Sequence, residues 1–177
     1  MEGKLTMDDE LAGAPRHGDD AYRQLMTDLN GAGVRYCVID HPPEGRTDVA
    51  SALRGHDVTL AAKSLIIRVK IGRKQVSYVL AVIPGDARVD LAAVSELFGG
   101  TRAALADHKK AEELAGSVLG TVMPFSYHPQ LELVADQALL STPELCFNAA
   151  RLDRSVALAT EDYLRLAEPR IERIAVR

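Results

Sequence analysis

Two apolar segments facing each other across a short basic turn limit most strongly what this chain can become. Lys63-Ser64-Leu65-Ile66-Ile67-Arg68-Val69-Lys70 and Val76-Ser77-Tyr78-Val79-Leu80-Ala81-Val82-Ile83 flank Gly72-Arg73-Lys74. Their β-branched and aromatic content, with a glycine between them, predicts an antiparallel hairpin. The second segment is apolar almost throughout, so both its faces must be covered and it belongs at the centre of a sheet.

The other elements alternate irregularly around that hairpin. Tyr22, Leu25, Met26 and Leu29 recur at helical spacing behind the capping candidates Asp19 and Asp20, and Gly31 and Gly33 stop the run. Val34 to Ile39 predicts a strand ended by Asp40-His41-Pro42-Pro43, and Thr47 or Asp48 can cap a short helix through Leu53. Asp90 caps a helix to Leu97, a third helix runs from about Asp107 to Ala115, and Gly116 ends it. Leu131 to Ala135, Leu145 to Ala149 and Ser155 to Leu158 predict three short strands, Glu161 to Leu166 a last helix, and Arg170 to Val176 a terminal strand. Hairpins without a regular strand and helix alternation predict an α+β chain, a mixed sheet with helices packed around it.

A length of 177 residues suffices for one full core. Residues 1–18 mix Gly, Pro, Asp and His without period and predict a mobile leader, followed by a single domain over 19–177. No apolar run approaches the roughly 20 residues of a membrane span, and the start of the chain lacks a signal-like apolar region, so a cytoplasmic location without membrane contact is expected. Cys37 and Cys146 fall inside apolar strand patterns and predict buried free thiols. A formal charge of −4 argues against a broad nucleic-acid binder and gives no reason to expect DNA as a partner. It leaves room for a local patch: Lys63, Arg68, Lys70, Arg73 and Lys74 cluster on the hairpin, as a solvated surface or as phosphate contacts.

Several chemistries are absent. There is no phosphate-binding Gly-x-x-x-x-Gly-Lys-Ser/Thr loop and no Gly-x-Ser-x-Gly elbow. His17, His41, His56, His108 and His128 show no metal-ligand spacing, so neither a metal nor another cofactor is expected. What remains is a lysine at a strand start, polar residues inside apolar strands, and the loop Gly116-Ser117-Val118-Leu119-Gly120-Thr121-Val122-Met123-Pro124-Phe125. Two glycines and a proline there suit a shaped backbone that can hold an oxygen atom by main-chain donors, although a helix stop followed by a plain turn would read the same.

Four landmarks then fall in a familiar order: His41-Pro42-Pro43 with Thr47; Ala62-Lys63-Ser64-Leu65; Pro84-Gly85-Asp86 with Asp90-Leu91; and Gly116 to Phe125. Together they resemble the YbaK and prolyl-tRNA-synthetase-associated aminoacyl-tRNA editing domains, over about Tyr22 to Leu166. The resemblance implies a mixed, partly barrel-like sheet surrounded by helices. It also implies hydrolysis of the ester between a small amino acid and the terminal adenosine of a tRNA, of the tRNA-Pro type. The partners would be the aminoacyl-tRNA acceptor end and a cognate synthetase, served by a freestanding enzyme acting in trans.

By the same resemblance Lys63 orients the tRNA end. The backbone at Gly120 and its neighbours Thr121, Val122, Met123 and Pro124 holds the substrate carbonyl, and water attack is assisted by the ribose hydroxyl. Ser64, His41, His128, Asn148 and Ser155 are further candidate substrate contacts. Each also has a structural reading: His41 as the start of a rigid turn, His128 as a surface side chain, Asn148 as a satisfied core amide. Two departures bear on specificity. Ala150 stands where relatives carry glycine, and Phe125-Ser126-Tyr127-His128 replaces the usual loop exit. The alternative to a deacylase is a module of the same fold that binds tRNA or a synthetase without hydrolysis.

Overall fold

In the computed structural model, which describes residues 18–177, the expected hairpin forms the spine of a five-stranded sheet. The elements are α1 (Asp19–Gly31), β1 (Tyr36–Asp40), α2 (Thr47–Leu53), β2 (Ala62–Ile71), β3 (Gln75–Pro84), β4 (Arg88–Val89), α3 (Leu91–Leu97), β5 (Arg102–Leu105), α4 (His108–Ala115), β6 (Leu131–Asp136), β7 (Glu144–Arg151), β8 (Arg154–Ala159), α5 (Thr160–Ala167), β9 (Arg170–Glu172) and β10 (Ala175–Val176). The large sheet runs β5-β2-β3-β6-β9, with β3 at its centre as its apolar sequence requires. β2 pairs antiparallel with β3 and β5, whereas β3 with β6 and β6 with β9 are parallel, so the sheet is mixed. A three-stranded antiparallel sheet, β1-β8-β7, and the pair β10-β4 complete the α+β architecture, and no sheet closes into a barrel.

Alternation along the hairpin divides the interior in two. Ile66 on β2 and Leu80 and Val82 on β3 face a core shared with α1, β7, β8 and α5, where Leu25, Leu29, Phe147, Leu158 and Tyr163 are buried. Ile67, Val69, Val79, Ala81 and Ile83 face a smaller core closed by Val94 of α3 and by Ile174. A strand buried on both faces explains why β3 carries so few polar residues.

Several local expectations are corrected. The N-cap of α1 is Gly18, in a left-handed conformation with φ 102° and no side-chain cap, where it packs against the Ala150 carbonyl with no room for a Cβ. Asp19 and Asp20 instead sit in the first turn, where they favour the helix dipole. Thr47 is the first helical residue of α2, with no capping bond from a side chain, and Arg46 holds the cap position. Cys37 is exposed on the edge strand β1; Cys146 on β7 is buried as expected, and burial pushes its thiol up to about 11. The terminal strand splits into β9 and β10 in different sheets, and the buried carboxylate of Asp136 accepts the N–H groups of Ile174 and Ala175, both at 2.8 Å, at the break. Apart from Gly18, the leader expected over residues 1–18 lies outside the described residues.

Ala150, in the position where glycine was noted in relatives, adopts φ 58° at a bulge between Asn148 and Arg151 of β7. The bulge turns the carbonyl of Ala150 onto Gly18, where an added Cβ would lie 2.2 Å from it. The N-terminus of α1 is thus seated on β7 through a contact only glycine permits. Gly18→Ala is expected to destabilise the domain by about 2 kcal/mol through overpacking and left-handed strain, read as a lower urea midpoint at unchanged slope.

Candidate active site

The loop from α4 to β6 is fixed at several points by hydrogen bonds and core packing. Gly116 terminates α4 in the left-handed region with φ 68° and donates to the carbonyl of Glu112 at 2.9 Å. Glu112 then reaches forward, and its carboxylate accepts the N–H of Leu119 at 3.1 Å. Thr121 is fully buried and folds back on Val118, donating to its carbonyl from both N–H (3.1 Å) and Oγ1 (2.6 Å). Further on, Met123 and Phe125 sink into the larger core, Phe125 edge-on to Tyr163 at 5.4 Å between ring centroids. Among the described residues, the N–H groups of Gly120 and Val122, either side of Thr121, make no hydrogen bond within the chain. They are available to a ligand oxygen.

Gly120 meets the segment after β1 glycine to glycine. At φ 86°, a Cβ on Gly120 would stand 2.6 Å from the Cα of Gly45, so no side chain fits between the two loops. Asn148 of β7 ties them together, its amide donating to the carbonyls of Glu44 at 2.8 Å and Gly120 at 2.9 Å. The Asn148 Oδ1 accepts from Arg54 Nη1 at 3.2 Å and lies 3.0 Å from the hydroxyl of Ser155 on β8. Arg54 also donates to Ser155 Oγ at 3.0 Å and, through Nη2, to Ser51 Oγ at 3.2 Å. His41 closes the cluster: Nδ1 donates to the Pro42 carbonyl at 2.9 Å, which sets the proton there, and Nε2 lies 2.7 Å from Ser155 Oγ.

Above this network lies a cavity of about 410 Å³, within the range of small-molecule sites. One side is the start of β2, Ala62 to Ile66; the other is Leu119, Gly120 and Val122; Asn148, Arg54 and Phe147 form part of its wall. Leu105, Ala106 and His108 complete the mouth. The buried hydroxyl of Ser64 has no hydrogen-bond partner, nor does the Nε of Arg54. Arg54 is 9% exposed and, among the described residues, pairs with no carboxylate; burial lowers its pKa from the ordinary arginine value.

Lys63 occupies the cavity wall, with its ammonium turned to the Pro84 to Ala87 turn, donating to the carbonyls of Gly85 at 3.3 Å and of Ala87. Gly85 can present that carbonyl because the turn packs closely: a Cβ there would stand 2.4 Å from the carbonyl oxygen of Val58. Burial lowers the Lys63 pKa below the usual lysine range, partly offset by the nearby Asp86. The ammonium has three N–H donors, so one is left for a ligand.

The expected site residues therefore separate. Lys63, Ser64, Gly120, Val122 and Asn148 line one cavity. His41 and Ser155 lie behind Asn148, and Thr121, Met123 and Pro124 are buried within the loop's own packing. His128 stands elsewhere, beside Tyr127 and Glu113 in a separate depression, where its Nδ1 accepts the N–H of Gln130 at 3.2 Å. Arg54 escaped the sequence reading, since an arginine just before a helix-ending glycine looks like a surface residue; Gly45 escaped because its role exists only opposite Gly120. No group of side chains able to hold a metal ion occurs among the described residues, and no helix there is long and apolar enough to cross a membrane.

The fold sets unengaged main-chain N–H groups on a cavity above a buried polar floor. The sequence profile of the aminoacyl-tRNA editing domain matches residues 41–166, and the chain belongs to that family. It is 39% identical over 155 residues to the multifunctional Ser/Thr-tRNA deacylase ProXp-y of Escherichia coli K12, covering 87% of this chain and 92% of that one. It is 22% identical over 153 residues to the prolyl-tRNA editing protein ProX of Acetoanaerobium sticklandii, covering 84% and 92%. Among solved structures, a candidate trans-editing enzyme for prolyl tRNA synthetase shares the fold, with TM-score 0.72, 23% identity and coverage of 89% and 98%. A hypothetical protein of 22% identity matches with TM-score 0.77, covering 86% and 99%.

Asn148→Ala would strand Arg54 and Ser155 and release the two loops together. It is expected to cost about 2–4 kcal/mol in urea unfolding, and a double-mutant cycle with Arg54→Met to give a coupling above ~0.5 kcal/mol.

Proposed function

We propose that this cavity receives the aminoacyl ester at the end of a tRNA and that the Gly120 loop catalyses its hydrolysis. The chain is an aminoacyl-tRNA deacylase of the editing family, and the single observation that favours this seat for the chemistry is the pair of unengaged N–H groups, Gly120 and Val122, on the same cavity as Lys63. Water adds to the ester carbonyl, and the charge that develops on its oxygen is stabilised by those N–H donors; preorganised donors of this kind are worth roughly 3–4 kcal/mol each. The ester C–O bond then breaks, and the ribose oxygen leaves with a proton. The cavity wall offers no obvious side-chain nucleophile with an adjacent base, which agrees with water activation by the neighbouring ribose hydroxyl. Lys63, held by two carbonyls with a donor to spare, orients the nucleotide.

Action in trans is supported by the match to 92% of the length of the E. coli relative. That relative's name directs attention to seryl and threonyl esters, whose hydroxyl suits the polar wall of Asn148, Ser64 and Arg54. Prolyl-type tRNA, as expected from the sequence, remains the proposed carrier, and a synthetase is its proposed supplier.

The test is release of amino acid from tRNAs charged with serine, threonine, alanine, cysteine and proline. Wild type is expected to release serine or threonine fastest. Lys63→Ala is expected to lose roughly 100-fold in kcat/KM, and Gly120→Ala, which forces the two loops apart, to lose as much. Equal rates for wild type and both variants would remove these residues from the reaction.

A further inference from the structure

The hairpin that frames the cavity continues past it, and its side chains change character at one point. On β2 the alternate positions Ser64 and Ile66 line the cavity; the next two on the same face are Arg68 and Lys70, both exposed. β5 pairs with this stretch so that Ala104 lies opposite Arg68 and Arg102 opposite Lys70. Directly opposed residues share a face, so Arg68, Lys70 and Arg102 form one strip. Like charges facing each other across a ladder are destabilising, yet none of the three side chains makes an ion pair or hydrogen bond among the described residues. Glu96 lines the same shallow depression as Arg102 without reaching ion-pair distance. Lys110 of α4 stands alongside, 5.5 Å from the ring of Tyr78, which pairs with Arg68 across the hairpin, but its charge is already paired with Glu113 at 2.9 Å and it is no part of the strip.

The strip is continuous with the mouth. β2 carries it, since Ser64 and Ile66 line the cavity and Arg68 and Lys70 follow on the same face; at the end of β5, Leu105, which lies opposite Ile67 and is 60% exposed, and His108 also line the cavity. From Ile66 to Lys70 is four residues of strand, roughly 13 Å, long enough to meet more than one phosphate of a nucleic-acid strand. In a chain of net charge −4, an unneutralised positive strip leading out of an ester-binding cavity has a natural counterpart in a phosphodiester chain.

Resting on the deacylase reading above, we propose that Arg68, Lys70 and Arg102 form the track along which the phosphates of the tRNA acceptor arm lie as its aminoacyl end enters the cavity. The contacts are to backbone phosphate, so they set affinity and register without reading sequence.

The experiment measures binding of a fluorescently labelled, uncharged acceptor-stem RNA hairpin across a salt series, beside deacylation of the charged tRNA. The triple variant Arg68→Ala, Lys70→Ala, Arg102→Ala is compared with wild type. As a control, three arginines whose charges are already paired are removed: Arg23, Arg165 and Arg170, partners of Asp20, Asp162 and Glu172. The track variant is expected to bind roughly 10- to 100-fold more weakly, with the slope of log K against log salt shallower by about two, while the control keeps the wild-type slope. KM for charged tRNA rises and kcat holds. An unchanged slope and affinity in the track variant would overturn the proposal and leave the cations as guards of the exposed β5 edge. An equal loss in the control would overturn it too, by assigning the effect to net charge. RNA binding through the strip with no ester release from any charged tRNA would instead overturn the deacylase reading and leave the track standing.

Discussion

The side-chain amide of Asn148 is the interaction on which the site depends. Its two N–H groups hold the carbonyls of Glu44 and Gly120, and its oxygen receives Arg54. With both loop carbonyls turned inward to this amide, the bare glycine backbones of Gly45 and Gly120 can press together. The N–H groups of Gly120 and Val122 are left without internal partners. A buried amide with both its N–H groups and its oxygen engaged is stiff, because losing any one partner leaves another group unpaired away from water. The loop is therefore shaped before a substrate arrives, the condition under which backbone donors contribute most to catalysis.

Beneath the amide, Arg54 is a guanidinium without a carboxylate partner among the described residues. Hydroxyl and amide oxygens take its N–H groups, so the charge is solvated by dipoles and not neutralised. Lys63 follows the same rule on the opposite wall, held by two backbone carbonyls and no acid. A cavity flanked by two cations with dipolar partners keeps its positive potential, where an ion-paired one would not. That suits a ligand ending in an ester and joined to a phosphodiester chain.

Much of the fold was legible from period and punctuation. The hairpin, the central placement of β3, the Asp90 cap and the Gly116 stop all follow from local sequence, and each recurs in the structure; Asp107, expected as the start of α4, is its N-cap. β5 was not legible: Arg102-Ala103-Ala104-Leu105 has little strand propensity and is held by pairing with β2. At the site, Lys63, Ser64, Gly120, Val122 and Asn148 could be found because motif and strand start place them. Gly45, Arg54 and the role of Ser155 could not, since their meaning lies in contacts between distant positions, 101 apart in sequence for Arg54 and Ser155 and 114 for His41 and Ser155. His128 shows the converse: adjacency to the loop in sequence did not bring it to the cavity, because Phe125 is anchored in the core and carries the exit away.

The central claim is that the backbone at Gly120 and Val122 holds the reacting carbonyl. A crystal structure with a hydrolysis-resistant analogue, seryl-adenosine linked through an amide at the ribose 3′ position, tests it directly. The expected result is the acyl oxygen at about 2.7–3.1 Å from one or both of these nitrogens, with Lys63 turned toward the nucleoside. An acyl group bound with its oxygen away from the loop, or the analogue seated outside this cavity, would contradict the assignment.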